Sequence, residues 1–230
     1  MPTPISSVTA DDNNPLSEFA YYRMTPTETF RTPFSNLSVR LLDHLPEGLA
    51  DDSAALDLSA LDDKLVPVYG GGSRARQALA CGFNRHMCIT AVEGDRLIGI
   101  LGIQTATAKF MDVTLNTLQP FYGTLGSLWR MALLAFLNHS PMADQACIDG
   151  LAVLPAYRGQ GVGTGLITAL EAWATGQGLS MVRLEVVDTN PRAEKLYRHI
   201  GFEAVREQTV WPVGTLFGFR SSTVMIKSLV

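Results

Sequence analysis

The stretch LPAYRGQGVGTGL, residues 154–166, constrains the fold more strongly than any other part of the sequence. Pro155 ends the apolar run that precedes it, and a glycine then occupies every second position from 159 to 165. Apolar residues return at i, i+4 and i+7, the spacing of one helical face: Leu166, Leu170 and Trp173. The pattern therefore predicts a strand, a loop of small residues and a helix in direct succession.

A loop of this kind in front of a helix suits an anionic ligand. The first turn of a helix leaves about four backbone N–H groups unpaired and carries roughly half a positive charge. Gly159, Gly161 and Gly163 remove side chains from the approach to those donors. Arg158 adds a guanidinium that can bind a phosphate oxygen. We therefore interpret the loop as a diphosphate cradle.

The spacing of the glycines disfavours two other phosphate-binding loops. The loop lacks the Gly-Lys-Ser/Thr ending of nucleoside-triphosphate P-loops. Its GxGxGxG pattern also differs in register from the GxGxxG of dinucleotide-binding folds, and no acidic residue follows in the position expected for a ribose contact. A tight turn alone would explain one or two glycines, but not four together with an arginine.

Composition bounds the class of protein. With 230 residues, 47% of them hydrophobic, the chain fits one domain with extensions better than two domains. Residues 1–35 contain five of the twelve prolines and little periodicity, so we expect an N-terminal extension there and a single domain over 36–230. The net charge of −4 gives no electrostatic footprint for nucleic acid.

Metal, disulfide and membrane classes are disfavoured by the sequence. The three cysteines are odd in number and widely spaced, which favours free thiols in a reducing cytoplasm. The four histidines are scattered, so we expect no metal site. The chain starts without the pattern of a secretory signal, and its longest apolar run, 125–137, is too short to span a bilayer. We expect a cytoplasmic protein with no membrane partner.

The remaining pattern predicts an α/β fold on a mixed sheet. Strands are predicted near 38–43, 86–93, 96–105, 147–154 and 181–187, and in the final segment after Gly201. Helices are predicted near 46–63, 73–83, 124–138, 161–176 and 190–200, with residues 105–123 as a polar loop. Gly94-Asp95 predicts an antiparallel hairpin, Ser73 and Asn190 are candidate N-caps, and the strand–loop–helix–strand unit should be right-handed and parallel.

The glycine loop and its surroundings resemble the GNAT superfamily of N-acetyltransferases. Arg158-Gly159-Gln160-Gly161-Val162-Gly163 matches the R/Q-x-x-G-x-G/A signature of that family. The flanking stretches IDGLAVLP and VRLEVVDTNPRAEKLYRHIGF also match, so the strong resemblance covers about residues 147–203. It implies a mixed, mostly antiparallel central sheet with flanking helices and an enzyme that uses acetyl-CoA.

The resemblance also implies which residues bind the cosubstrate. The pyrophosphate would lie on the amides of the loop, and the pantetheine arm would pair with the strand before it. Asn190 would contact the same arm. The loop residues are Arg158, Gly159, Gln160, Gly161, Val162, Gly163 and Thr164, and the strand residues are Leu151, Ala152 and Val153.

Acetyl transfer to an amine needs a base, an acid and a polarised carbonyl. An alkylamine with a pKa near that of lysine is about one part in a thousand uncharged at neutral pH, so its proton must be removed, either by a carboxylate acting through water or by a water-filled acidic path. Glu185 is the candidate base. It lies twelve residues before Tyr197, and this spacing resembles that in the enzymes that acetylate the N-terminal alanine of a ribosomal protein. Asp149 is the rival candidate for the base. Tyr197 is the candidate acid, and a backbone N–H near Val153 would polarise the carbonyl. Glu185 paired with Arg183 as a surface carboxylate is the structural alternative.

The acceptor is expected to be a small-molecule or peptide amine, and two indications point in different directions. The Glu185–Tyr197 spacing favours a peptide N-terminus, whereas the acidic residues of 43–63 favour a cationic acceptor. The apolar helix near 124–138 could line the acceptor pocket, form a homodimer contact or fill the core, with core as the default. A non-catalytic acyl-CoA-binding sensor is the alternative to an enzyme.

Overall fold

The computed structural model describes residues 29–31, 38–137, 141–209 and 217–229. Eight strands lie in these ranges: β1 Thr29–Arg31, β2 Ser38–Leu42, β3 Cys88–Glu93, β4 Arg96–Gln104, β5 Gln145–Val153, β6 Met181–Val187, β7 Glu203–Thr209 and β8 Ser221–Ser228. They form one sheet in the order β1-β2-β3-β4-β5-β6-β8-β7. The predicted extension, residues 1–35, contributes β1 to this sheet, and its other residues lie outside the described ranges.

Six helices connect and flank these strands: α1 Ala50–Ala60, α2 Asp62–Tyr69, α3 Gly72–Ala80, α4 Leu115–Leu137, α5 Val162–Gly176 and α6 Pro191–His199. Helix α4 is kinked at Gly123, whose φ of 64° lies in the left-handed region. None of the helices in the described part of the chain combines the length and the apolar character that crossing a bilayer requires.

The sheet is mixed and mostly antiparallel, as predicted. The β3–β4 pair is antiparallel, and Gly94 takes a φ of 59° in its turn. The other antiparallel pairs are β1–β2, β2–β3, β4–β5, β6–β8 and β7–β8. Strands β5 and β6 run parallel, because α5 crosses over between them. The predicted fold class is therefore confirmed.

Helix α5 is held on the sheet by one apolar face. Its buried residues follow helical spacing: Val162, Leu166, Ile167, Leu170 and Ala174. They belong to a core that includes the buried sides of β3, β4, β5 and β6. A second core lies among α1 to α4 and includes Phe217 and Phe219. Burial of each large aliphatic side chain contributes roughly 1.5–3 kcal/mol, so the N-terminus of α5 is fixed beside the end of β5.

Three local predictions are wrong. The single helix predicted over 46–63 is two helices, because Leu61 leaves helical geometry at φ −123° and ψ 37°. Ser73 is not an N-cap, since Gly71 occupies that position. The polar loop predicted over 105–123 contains the first turns of α4, which the reciprocal hydrogen bonds between Thr114 and Thr117 initiate.

Candidate active site

The parallel strands β5 and β6 separate shortly after they begin. They pair only where Gln145–Cys147 meets Met181–Arg183. Beyond that point β5 stays paired with β4 as far as Val153, and β6 stays paired with β8 as far as Val187. The edge of β5 that carries Leu151, Ala152 and Val153 therefore faces an opening rather than a strand. Such an edge can accept an extended molecule as an additional strand.

The amide of Val153 points into this opening. Leu154 N donates to Ile98 O on β4 at 2.9 Å, and Val153 lies opposite Gly99. Because successive residues of an antiparallel strand direct their backbone groups to opposite edges, the N–H and C=O of Val153 face away from β4. Its carbonyl accepts a hydrogen bond from Arg158 Nε at 3.0 Å, which leaves the N–H available to a ligand.

The glycine loop presents bare amides at the start of α5. Gly159 and Gly161 have φ values of 74° and 83°, which favour glycine, and Gly161 is the N-cap of α5 without a side-chain cap. Gly165 N donates to Gly161 O at 2.9 Å, which is the first hydrogen bond of the helix. Among the described residues, no backbone acceptor pairs with the amides of 159–164. These donors and the helix dipole form the arrangement that binds anions.

Packing within the chain does not explain why the loop lacks side chains. A Cβ at Gly163 would lie 3.8 Å from Val153 Cγ2, an ordinary contact, and a Cβ at Gly159 would meet no atom within 4 Å. Among the described residues, no side chain occupies the positions that a Cβ at Gly159 or Gly163 would take. The amides in front of α5 suit an anionic group such as a diphosphate.

Side-chain hydrogen bonds that the sequence analysis did not foresee fix the loop in place. The Tyr157 hydroxyl donates to Glu93 Oε2 in the β3–β4 hairpin at 2.6 Å. Gln160 Nε2 donates to Ala156 O at 2.7 Å. Arg158 is tied to β5 through Nε, as described above, while its side chain stays exposed. These hydrogen bonds hold the loop in one conformation without a ligand, and such preorganisation lowers the entropic cost of binding.

A cleft of about 420 Å³ lies beside the opening and contains both candidate bases. Asp149 and Glu185 line it from β5 and β6. Asp149 is the extra residue of a β-bulge, because Gly102 pairs with Gly150 while Ile103 pairs with Ile148. A bulge redirects the side chain it carries, and here it places the carboxylate in the cleft. Sequence periodicity gives no sign of this bulge.

Burial controls the protonation of Asp149. Burial raises the pKa of its carboxyl above the ordinary range, while a hydrogen bond from Met111 N at 3.2 Å and the charges of Lys109 and Lys64 oppose that rise. A carboxylate with a raised pKa is a stronger base than an ordinary aspartate.

The carboxylate of Glu185 is held by an ion pair, whereas that of Asp149 accepts a backbone hydrogen bond. It forms an ion pair with Arg183, two residues earlier on the same face of β6, and both side chains are largely buried. The structure thus contains the pairing with Arg183 that the sequence analysis gave as the alternative to a catalytic role for Glu185. Glu185 nevertheless lines the cleft, so its carboxylate can interact with a bound molecule.

Asp57 is a buried acid that the sequence analysis missed. It lies on α1 with 2% of its surface exposed, and its Oδ2 has no hydrogen-bond partner among the described residues. Burial, with a smaller contribution from the charge of Asp149, raises its pKa to about 8. The sequence signal that could have indicated its burial is its position between Leu56 and Leu58 within an acidic segment.

Tyr197 lies in the main core rather than in the lining of this cleft. It is 8% exposed, and its ring centroid is 5.9 Å from that of Phe202. Burial raises its pKa to about 12, so the phenol keeps its proton across the working range of pH. The structure therefore brings Asp149 and Glu185 together in one cavity and places Tyr197 apart, on α6.

Asn190 has the capping position that the sequence predicts. Its Oδ1 accepts a hydrogen bond from Ala193 N at 3.1 Å, and Pro191 is the first residue of α6. The side-chain amide group remains able to donate. A contact between Asn190 and a cosubstrate stays a prediction.

The apolar helix contributes to the cleft, whereas the acidic side chains of the segment 43–63 do not line it. In α4, Leu133 is buried, but Met131, Leu134 and Ala135 line the cleft, and Leu125, Leu128 and Trp129 are exposed. The helix thus contributes both to the second core, through Leu133 and the partly buried Met131 and Leu134, and to the cleft lining, and a homodimer contact through it stays a prediction. Of residues 43–63, Leu61 lines the cleft and no acid does.

Comparison with known proteins agrees with these features. The model of the acetyltransferase (GNAT) family matches residues 59–202. Mouse thialysine N-epsilon-acetyltransferase is 38% identical over 64 residues, which are 28% of this chain and 38% of that protein. The bS18-alanine N-acetyltransferase of Haemophilus ducreyi is 37% identical over 73 residues, 32% of this chain and 50% of that protein. The chain thus spans half or less of the length of these two curated relatives.

The fold itself has solved counterparts. A GCN5-related N-acetyltransferase from Kribbella flavida superposes with a TM-score of 0.52 at 17% identity, covering 83% of this chain and 97% of that one. At this identity the similarity shows the fold alone. The resemblance to the alanine acetyltransferases of a ribosomal protein is confirmed as a sequence similarity. Since the family model covers more than half of the chain, including the glycine loop and both strands of the opening, this protein belongs to the acetyltransferase (GNAT) family.

Proposed function

We propose that this protein is an acetyl-CoA-dependent N-acetyltransferase that transfers the acetyl group directly to a primary amine. The observation that carries the proposal is the opening between β5 and β6, with the bare amides of α5 at one end and a cleft holding two carboxylates beside it. A molecule with a diphosphate and an extended arm fits this arrangement. Family membership supports the same reaction class.

In this proposal the cosubstrate is bound largely through backbone groups. The amides of 159–164 and the exposed guanidinium of Arg158 bind the diphosphate. The free edge of β5 binds the arm through the backbone of Leu151 and Val153. The N–H of Val153, which faces the opening, donates to the thioester oxygen and stabilises the negative charge that develops there.

The reaction requires two proton movements. The amine nitrogen attacks the thioester carbon, the N–C bond forms, the C–S bond breaks and the thiolate of CoA leaves. Asp149 takes the proton from the amine, directly or through water, and Tyr197, which approaches from α6 outside the cleft lining, supplies a proton to the sulfur. Proton exchange with solvent then deprotonates Asp149 and reprotonates Tyr197, so both residues return to their starting states. Burial raises the pKa of Tyr197 to about 12, above that of a thiol, so complete transfer of its proton to the thiolate costs free energy and the phenol acts by donating toward the sulfur as charge develops there.

We assign the base to Asp149 rather than Glu185 on two grounds. Its carboxylate is placed in the cleft by the bulge, and burial makes it a stronger proton acceptor. Glu185 is paired with Arg183, so its carboxylate is already engaged by a guanidinium. Glu185 instead orients the ammonium form of the acceptor before it is deprotonated.

Acetylation of an amine and binding of CoA together test the proposal. Purified protein is incubated with acetyl-CoA and a panel of primary amines, and acetylated products are measured by mass spectrometry, because the exposed Cys81 would contribute to a thiol assay. Titration calorimetry with CoA is run in parallel. We expect saturable CoA binding and acetylation of at least one amine. CoA binding without any product would instead indicate the non-catalytic sensor, and absence of CoA binding would refute both functions.

A further inference from the structure

The cleft beside the opening carries cations as well as carboxylates. Lys64 reaches it from α2, and Lys109 reaches it from the segment between β4 and α4. Both are half-buried, and their charges act on Asp149. The lining therefore has a positive part and a negative part within one cavity.

Neither of these two lysines forms a direct ion pair with a residue that the structure describes. Within the described ranges, neither Lys64 nor Lys109 lies within 4 Å of a carboxylate. By contrast, Lys227 is 2.7 Å from Glu171. Lys195 is exposed and lies outside the cleft. The two ammonium groups act on Asp149 from beyond ion-pair distance, so a carboxylate supplied by a bound molecule would form the direct ion pairs that the described residues leave unmade. The pair thus marks a place for an anion.

The rest of the lining selects against a polycation and for an apolar side chain. Leu65, Met111, Met131, Leu134 and Phe219 provide the apolar surface. The acids of 43–63 that would attract a polyamine are outside the cleft: Glu47 is paired with Arg85 and Asp51 with Arg76. The volume of about 420 Å³ is in the range of small-molecule sites.

We infer that the acceptor is a small amino acid-like molecule, with an amine, a carboxylate and an apolar side chain. This inference rests on the proposed acetyl transfer. The carboxylate binds Lys64 and Lys109, the amine lies at Asp149 and Glu185, and the side chain contacts the apolar lining. Opposite charges of the acceptor thus meet opposite charges of the cleft, which fixes the amine relative to the thioester.

Matched amines test the carboxylate requirement. Acetylation is measured for phenylalanine, phenylalaninamide and phenethylamine, and for leucine and isoamylamine. We expect kcat/KM to be at least about tenfold higher for each amino acid than for its decarboxylated counterpart, the effect of one charge-assisted contact. Phenylalaninamide controls for amine basicity. Its amine is less basic than that of phenylalanine, so a larger fraction of it is uncharged and reactive at neutral pH. It should nevertheless be the poorer substrate, because it lacks the carboxylate.

Lysine variants locate the effect. Lys64→Met and Lys109→Met should each reduce the preference for the carboxylate, mainly through KM, while Lys195→Met should leave it unchanged. Calorimetry with N-acetylphenylalanine in the presence of CoA gives a readout that does not depend on turnover, and its affinity should fall in the same two variants.

The outcomes separate this inference from the proposed function. Equal or better acetylation of the decarboxylated amines would overturn the inference and leave acetyl transfer intact. A carboxylate preference that persists in both cleft variants would overturn the assignment to these lysines. Acetylation of no amine, with CoA bound, would refute the proposed function and this inference with it.

Discussion

At the scale of single residues, Tyr197 combines burial with a predicted catalytic role. Its pKa of about 12 keeps the phenol protonated, so replacing it by phenylalanine removes a proton donor while the ring still packs against Phe202. We expect Tyr197→Phe to lower kcat by about 10² or more and to leave CoA affinity nearly unchanged. Steady-state kinetics and calorimetry measure the two quantities.

Tyr122→Phe is the matched control for this prediction. It also removes a phenolic hydroxyl, which donates to Tyr69 O at 2.7 Å, but it does so outside the opening. Its kcat should stay close to that of the wild type. A loss of CoA affinity in Tyr197→Phe as large as the loss of kcat would contradict the assignment of Tyr197 as the acid.

The two carboxylates of the cleft differ in their expected pH dependence. A general base acts when deprotonated, so kcat/KM rises with pH through its pKa, and burial shifts this rise for Asp149 above the range of an ordinary aspartate. Asp149→Asn should remove the part of the rise that belongs to this carboxyl, leave the part that belongs to the acceptor amine, and lower kcat/KM by about 10²–10⁴. Glu185→Gln should keep the rise and raise KM. A rise that disappears in Glu185→Gln and survives in Asp149→Asn would reverse the two roles.

At the scale of secondary structure, the first turn of α5 is distinguished by glycines that carry no side chain. Gly163 is helical and could carry a side chain without a steric conflict inside the chain. We expect Gly163→Leu to abolish CoA binding in calorimetry, because the side chain would fill the cradle. Its free energy of unfolding should change by no more than about 1 kcal/mol, since Gly is the weakest ordinary helix former.

The other end of the same helix provides the control. Gly176 is the last residue of α5, and a Cβ there would meet no atom within 4 Å. Gly176→Leu introduces the same side chain far from the cradle and should bind CoA like the wild type. Undiminished CoA binding by Gly163→Leu would show that the diphosphate does not lie at this turn.

At the scale of the whole molecule, the buried Asp57 makes stability depend on pH. Its pKa in the folded state, about 8, lies above the unfolded value near 3.8, so the folded protein binds the proton more tightly. Its contribution to stability is therefore fully present below about pH 4 and is lost as the pH rises toward 8, by up to about 1.4 kcal/mol per pH unit. Other groups titrate in parallel, so the comparison must be made with a variant.

Asp57→Asn isolates this contribution. Urea unfolding at a series of pH values from 5 to 8 is compared between the variant and the wild type, with Asp62→Asn, an exposed acid of α2, as the control. The decrease of stability with rising pH should be weaker in Asp57→Asn and unchanged in Asp62→Asn. Identical pH slopes for Asp57→Asn and the wild type would show that Asp57 does not hold a proton in the folded state.

Local sequence determined the elements whose signals are short-range. The glycine spacing after Pro155, the cap at Asn190 and the turn at Gly94 each specify backbone geometry within a few residues, and the structure has all three. The local pattern misled over residues 105–123, which were predicted as a polar loop, because the hydrogen bonds between Thr114 and Thr117 start helix α4 there.

Tertiary structure alone decided how these parts make a site. The separation of β5 from β6 depends on the different partners of each strand, and the bulge that places Asp149 in the cleft depends on the register against β4. Lys64, Lys109 and Asp57 take their surroundings from helices and strands distant in the chain. Backbone conformation follows from neighbouring residues, whereas the charge and shape of a cavity follow from which distant segments pack together, and no local pattern contains that information.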